Sequence, residues 1–511
     1  IVTRFTGLDQ KFFWLDETQT AMFAAGSTFE DLRLTIYDGR PHSRAEVMAH
    51  QFPRPDRTAA DTIRGLAADD PKNPPLYFLT VRAWMALVSP SIAGLRSWSA
   101  LLSLIALAAP FLLARELAGD PLAGWVAVGV LAASPLHLVY AQEGRQYMCW
   151  LVFVLTASWL LLAAIRRTRE GNPRAGWWFA FYVLALTLAW YSHVLTILVV
   201  AAHAIWVLVA ERLRGTRVVR RAAIAIAAAG ILCSPWALAV LRDTRDTPAW
   251  IPWHASPIPW AEWLQRVVGG YSNAFMDLDS SWLLARDQML AVIPLLVALW
   301  AVVRMLRSQS RETRWFLALL AIVCSLPFVV ADLMTHGQRA TIIRYQLPAV
   351  VALQIGVAIG IACSLRDPVR GRRLAGLLAG LVLAVSGFVS ISQYKSAGSF
   401  WWHKNSAEDV LAAAAIINRS PSPLVVSSVQ VEYVYDIFAL SHPLADHVQF
   451  LMAVRGEFPA VPDGRTELFL WKVSPGVPGE LVRRGWRVRE LGPIHLYLAT
   501  REISAEGHPL S

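Results

Sequence analysis

The chain has 511 residues, of which 55% are hydrophobic and only 16% charged. That balance excludes a soluble globular protein of this length, which needs far more polar surface. The net charge is +10, and a basic chain can serve nucleic acid. Here, however, the arginines fill short loops between apolar runs, the pattern of membrane topology and not of a nucleic-acid surface.

Cys149, Cys233, Cys324 and Cys363 each lie inside an apolar run. A thiol there acts as a small hydrophobe, so neither a disulfide framework nor a cysteine metal site is expected. The chain opens on polar residues without an initiator Met, and a preceding transmembrane helix is an open expectation.

Residues 1–73 are mixed and polar. They predict an extracytoplasmic first loop whose short amphipathic helices lie on a membrane surface. Asn73-Pro74-Pro75-Leu76 then opens an apolar run to about residue 88. Further runs cover about 94–114, 121–139, 145–165, 176–191, 193–211, 222–241, 287–303, 315–333, 342–364 and 373–392. Runs of this length predict a transmembrane helical bundle over 74–392, interrupted by a polar, Trp- and Pro-rich loop at 242–286. Residues 393–511 have ordinary polarity, with strand patterns at Leu424-Val425-Val426 and at Glu467-Leu468-Phe469-Leu470-Trp471. They predict a small soluble α/β domain. The expected fold class is therefore mainly α, a polytopic membrane bundle with that small C-terminal domain.

Arginine placement sets the expected orientation. Arg166, Arg167, Arg169 and Arg174 fill one loop, and Arg212, Arg214, Arg217, Arg220 and Arg221 another. Arg304, Arg307, Arg311 and Arg314 fill a third, and Arg366, Arg370, Arg372 and Arg373 a fourth. Assigning all four to the cytoplasm gives a consistent alternation. It leaves Gln142–Tyr147, Tyr191–His193, the 242–286 loop, Met334–Thr341 and the C-terminal domain outside. One conflict of parity remains. Asp16 and Glu143 must share a side to share a cavity, yet three runs separate them. The run at 76–88 is the shortest, begins with two prolines and contains Arg82, so a partial or interfacial helix is expected there.

Several stretches carry groups suited to chemistry. In Phe12-Phe13-Trp14-Leu15-Asp16-Glu17 two adjacent carboxylates follow an aromatic run; the pair reads either as a helix start or as a catalytic pair. Tyr140-Ala141-Gln142-Glu143-Gly144-Arg145-Gln146-Tyr147 places Glu143, Arg145 and Tyr147 at the mouth of the bundle, where ionisable groups are costly unless paired or facing water. A snorkelling helix-end anchor is the alternative. Arg344-Tyr345-Gln346-Leu347-Pro348-Ala349 opens a late run. An arginine there suits either a phosphate, which its planar fork grips with two hydrogen bonds, or an interfacial anchor. His193, after Tyr191-Ser192, reads as a local hydrogen-bonding group or as a ligand facing water. Trp250-Ile251-Pro252-Trp253-His254 reads as an interfacial belt or as a flap over a sugar or lipid chain. No P-loop, dinucleotide fingerprint or zinc-protease motif is present. A lipid-linked sugar flippase or other transporter is the rival class. Transporter sites, however, lie near the bilayer midplane, whereas the polar residues here gather at the outer edge.

Together these stretches resemble the C-type membrane glycosyltransferases of the protein-mannosyltransferase-like superfamily, which include relatives of the enzymes that put aminoarabinose on lipid A. The likeness runs from Trp14 to about Gln393. It rests on Trp14-x-Asp16-Glu17, Asn73-Pro74-Pro75-Leu76-Tyr77, Ser134-Pro135-Leu136-His137 leading into Gln142-Glu143-x-Arg145-x-Tyr147, Tyr191-Ser192-His193, Trp250-Ile251-Pro252 and Arg344-Tyr345-x-Leu347-Pro348-Ala349. It implies transfer of a sugar from a polyprenyl-phosphate donor to a glycan, lipid or protein acceptor at the outer face of the bacterial inner membrane. No nucleotide site is needed. Asp16 takes the leading catalytic role, with Glu17 beside it and Glu143 as the acidic residue of the second outer loop. Where many relatives carry His or Lys this chain has Asn73, with Lys72 one position earlier.

The chemistry then assigns Arg344, Arg145 and Lys72 to the donor phosphate. Substrate contacts are expected from Asn73, Tyr77, Gln142, Tyr147, Tyr191, His193, Tyr345, Trp253 and His254. No cofactor is assigned. A divalent cation stays open, with Asp16 and Glu143 as its ligands if one binds. The expectation is that these groups converge in one cavity at the extracytoplasmic rim.

Overall fold

The structure is a computed structural model; it describes residues 1–212, 216–246, 256–277, 285–399, 407–428, 434–453, 458–492 and 494–501. The chain divides into two units, one of Ile1–Leu8, Asp70–Tyr77 and Arg96–Ala397, the other of Asp9–Asp69, Phe78–Leu95 and Gly398–Ser511.

Long apolar helices dominate the first unit. Among the described residues seven spans across the chain are long and apolar enough to cross a membrane: Ile92–Ala118, Tyr147–Arg169, Arg217–Asp243, Ala291–Ser308, Arg311–Thr335, Ile343–Leu365 and Arg370–Ser396. An eighth is formed by Pro121–Ala133 and Pro135–Ala141 if that pair, bent by 66°, counts as one crossing. The bend follows from sequence: Ser134 is extended and Pro135 opens the second helix, so the hydrogen-bond ladder cannot run through. The chain is therefore a multi-pass membrane protein. Leu76–Leu87, by contrast, has twelve residues. At 1.5 Å per residue it is about 18 Å long, short of a hydrocarbon core of about 30 Å.

Among the seven spans, Tyr147–Arg169 and the one that contains the helix Leu347–Leu365 are the most enclosed. The second is rich in Ala and Gly, and small residues let backbones approach in lipid. A Cβ at Gly360 would stand 1.8 Å from the Ala301 carbonyl oxygen, so the helix Ala285–Ser308 touches backbone to backbone there. Gly387 meets the Ala133 carbonyl oxygen in the same way, at 2.1 Å.

The second unit is α/β. Its sheet has six strands: β1 (Pro41–Ser43), β2 (Leu424–Ser428), β3 (Gln449–Ala453), β4 (Glu467–Trp471), β5 (Arg487–Glu490) and β6 (Leu496–Thr500). Their order is β1-β3-β2-β4-β6-β5. β2 runs parallel to β3 and β4, and the remaining pairs are antiparallel. The central β2 reads as a continuous apolar run because both of its faces are covered. Leu424, Val426, Leu451, Leu468, Leu470, Leu481 and Trp486 form a core on this sheet. The strands expected at 424–426 and 467–471 are present as β2 and β4. β1 comes from far upstream and aligns His42 with Phe450. Arg44 secures that join through the Ser441 and His442 carbonyls and an ion pair to Asp446 at 2.6 Å.

The stretch 242–286 is not loop throughout, since Trp260–Ser272 is a helix and another begins at Ala285. Its apolar positions Trp260, Leu264 and Val268 stay exposed while Trp263 is buried, which is the period of a helix with two different faces.

Candidate functional site

In the first unit the bend at Ser134 delivers Tyr140–Trp150 as a continuous buried segment. Glu143 is fully buried and Arg145 and Tyr147 nearly so. The amide of Arg145 donates to the Glu143 carbonyl at 2.8 Å, which closes a tight turn. Tyr140 lies close enough to Glu143, Arg344 and Asp277 for their charges to act on it, and Arg145 and Arg344 both act on His193. The sequence gives a role to each of these except Tyr140 and Asp277.

His193 stands in the break between the helices Ala175–Ser192 and Thr196–Ala210. Its ring stacks on Trp150 with centroids 4.4 Å apart, and Tyr147 and Tyr345 flank it at 6.2 Å each. The Leu195 amide donates to its Nδ1 at 3.2 Å, which leaves Nε2 for other contacts. The Arg344 guanidinium lies 5.4 Å from the Tyr345 ring centroid, within cation–π range. Two guanidinium groups beside an aromatic and imidazole wall can grip an anion and its sugar together.

Other expected residues bind protein groups in this structure. Asn73 Oδ1 accepts from Gln146 Nε2 at 2.7 Å and from Arg145 Nη2 at 3.4 Å, and Asn73 Nδ2 donates to Asp70 at 2.7 Å. Asn73 thus orients Arg145. Gln142 Nε2 reaches the carbonyls of Thr3, Arg4 and Thr6 at 3.0–3.2 Å, and its Oε1 accepts from Lys395 Nζ at 2.8 Å. Tyr77 is fully buried, its hydroxyl 2.7 Å from Ser99 Oγ. Tyr191 donates to the Leu232 carbonyl at 3.1 Å. Lys72 pairs with Asp243 at 3.2 Å and is more than half exposed. Trp253 and His254 lie outside the described residues.

Asp16 and Glu17 belong to the second unit and occupy the first turn of the helix Leu15–Ala25. Trp14 is extended at the cap, and Gly26 ends the helix at φ 80°. Asp16 is half-buried and Glu17 fully buried. The helix N-terminus favours negative charge at both positions. The helix packs on Ala59–Asp69 and Val434–Ser441, and Phe13 meets the His442 ring edge-on at 4.6 Å.

Among the described residues of either unit, no group of three or more His, Cys, Asp or Glu side chains comes together as a metal centre requires. The sequence reading missed Asp277, Asp332 and Lys395. Asp332 had a signal: an acidic residue inside an apolar run is costly and needs a reason.

The first unit thus joins apolar helices to a polar buried turn, and the second is a small α/β unit. Residues 72–238 match the model of the dolichyl-phosphate-mannose-protein mannosyltransferase family. The crystal structure of ArnT from Cupriavidus metallidurans bound to undecaprenyl phosphate is 14% identical, with a TM-score of 0.54 over 100% of this chain and 97% of that one. The apo state of the same protein is also 14% identical, with a TM-score of 0.54 over 98% of this chain and 95% of that one. The archaeal oligosaccharyltransferase AglB from Archaeoglobus fulgidus, in complex with an inhibitory peptide and a dolichol-phosphate, is 12% identical, with a TM-score of 0.47 over 85% and 60%. No curated protein matches the sequence. The chain is therefore similar to that mannosyltransferase family over residues 72–238 and shares its fold with ArnT.

Proposed function

We propose that this chain is a membrane glycosyltransferase that moves a sugar from a polyprenyl-phosphate donor to an acceptor hydroxyl at the extracytoplasmic face of the bacterial inner membrane. The observation that carries the reading is that the charges of Arg145 and Arg344 both reach His193, whose ring is walled by Tyr147, Trp150 and Tyr345. The family match over residues 72–238 supports it, as does the fold shared with an enzyme whose structure holds undecaprenyl phosphate.

The chemistry asks little acid catalysis of the protein, because a glycosyl phosphate already has a good leaving group. The acceptor oxygen attacks the anomeric carbon as the bond to the phosphate oxygen breaks. The electron pair leaves with the polyprenyl phosphate, and the hydroxyl proton passes to Asp16 as general base. Glu17 supports Asp16 at the helix start, and Glu143 steers the acceptor. Arg344 and Arg145, with Lys72 at the approach, offset the charge growing on the phosphate. One displacement through an oxocarbenium-like transition state inverts the anomeric centre.

The decisive experiment incubates the purified protein in nanodiscs with labelled polyprenyl-phosphate sugars. Release of free polyprenyl phosphate is expected. Movement of labelled lipid across vesicles with its sugar–phosphate bond intact would instead make the protein a transporter.

A further inference from the structure

The helix Arg311–Thr335 carries Asp332 near its last turn, with the side chain fully buried. Its Oδ1 accepts from the Arg339 amide at 2.7 Å. Its Oδ2 accepts from the Ala340 amide at 2.7 Å and from the Trp263 indole at 2.9 Å. The Arg339 guanidinium stands 3.7 Å from Oδ1. Burying a carboxylate is expensive unless its lone pairs are met, and here three N–H donors and a cation meet them. His336 makes this possible. It ends the helix in the left-handed region, at φ 54° and ψ 24°, and turns the chain back over its own last turn.

The effect reaches Arg344. The 3-10 turn Arg339–Thr341 is followed closely by the turn Ile343–Gln346, which contains Arg344. Gln346 Nε2 donates back to the Ala340 carbonyl at 2.7 Å, so the stretch 340–346 is closed at both ends. The helix Trp260–Ser272 braces it: Arg266 donates to Gln338 at 3.0 Å and the Tyr271 hydroxyl to Gln346 Oε1 at 3.0 Å. At Gly270 an added Cβ would lie 3.3 Å from Cβ of Ile343, so the helix sits close against the second turn.

We propose that Asp332 is the positioning residue for Arg344. Its carboxylate fixes the first turn, the first turn fixes the second through Gln346, and the second aims the guanidinium. This rests on the reading of Arg344 as a donor-phosphate group. Asp332 does not touch the donor itself. It keeps the arginine from having to be ordered each time a donor binds, which is where pre-organisation adds affinity.

Asp332→Asn keeps the size but replaces one acceptor oxygen with an amide that faces N–H donors. Trp263→Phe removes one hydrogen bond and keeps an apolar ring. Each variant, in nanodiscs, is compared with wild type for binding of unglycosylated polyprenyl phosphate, for donor KM and kcat, and for the rate at which phenylglyoxal modifies Arg344, followed by peptide mass spectrometry. Asp332→Asn is expected to weaken lipid-phosphate binding and raise donor KM about tenfold, with kcat at saturating donor within about twofold of wild type. Arg344 is expected to be modified faster, and Trp263→Phe to shift the same quantities less. Wild-type values in both variants, or a fall in kcat with KM unchanged, overturn the assignment. If Asp332→Asn does not accumulate folded, Trp263→Phe and Tyr271→Phe decide by the same readouts. A wild-type protein that binds no polyprenyl phosphate sinks the transferase reading instead, and the Arg344 modification rate then still decides whether Asp332 holds the turn.

Discussion

At the scale of single residues, Asp16 and Arg344 are assigned opposite tasks, and their substitutions should separate cleanly. Asp16→Asn keeps the shape of the side chain and removes its basicity. Transfer should fall by at least about a hundredfold, the usual contribution of a positioned general base, while the purified protein melts at the wild-type temperature. Near-normal turnover would take Asp16 out of the mechanism. Arg344→Ala should raise the donor concentration needed for half-maximal rate. Arg344→Lys should recover only part of the loss, because an ammonium cannot reproduce the two-pronged grip. Unchanged donor saturation in Arg344→Ala would argue against a phosphate role. Both residues were legible because charged or acidic groups beside apolar runs are rare and invite an explanation. Asp332 carried the same signal but no indication of its partners, and Asp277 lay in a loop whose tryptophans point to the interface. Only the fold-back at His336 reveals what Asp332 is for.

At the scale of elements, the close approach of Leu347–Leu365 to Ala285–Ser308 is the feature most exposed to test. Gly360→Ala puts a methyl where the Ala301 carbonyl oxygen now lies, and backbone cannot swing aside as a side chain can. Overpacking of this kind costs about 1–3 kcal/mol, so a lower melting temperature in detergent is expected. Gly230→Ala is the matched control, since nothing lies within 4 Å of its added carbon. That change should be neutral or slightly stabilising, as Gly costs a helix about 0.5–1 kcal/mol relative to Ala. Equal melting temperatures for the two variants would mean that the Gly360 contact is not what holds these helices. The helices themselves were readable from unbroken apolar composition. The contact was not, because a glycine in a membrane helix carries no mark of which neighbour it admits. The same holds for Ser134: Ser-Pro is visible in the sequence, but the 66° bend that buries the following turn is not.

At the scale of the whole molecule, the arginine loops make the proposed orientation testable. In a protein whose four cysteines are replaced, Asn172→Cys should react with a membrane-impermeant maleimide only after the cells are opened. Asp463→Cys should react in intact spheroplasts. The reverse pattern would invert the topology, and with it the side on which transfer occurs. The sheet was half legible from sequence. β2 and β4 announce themselves as β-branched and aromatic runs, whereas Pro41–Ser43 is three residues of no strand-like character, recruited only because β3 offers it an edge.

That recruitment bears on how the protein can be rebuilt. The helix bearing Asp16 leans on Val434–Ser441, and the strand shortly after it completes a sheet made otherwise from the far end of the polypeptide. Swapping the tail of this protein for that of a relative, to redirect it to a new acceptor, would strip the Asp16 helix of its footing. A working hybrid must therefore carry both stretches from the same parent, exchanged as a matched set.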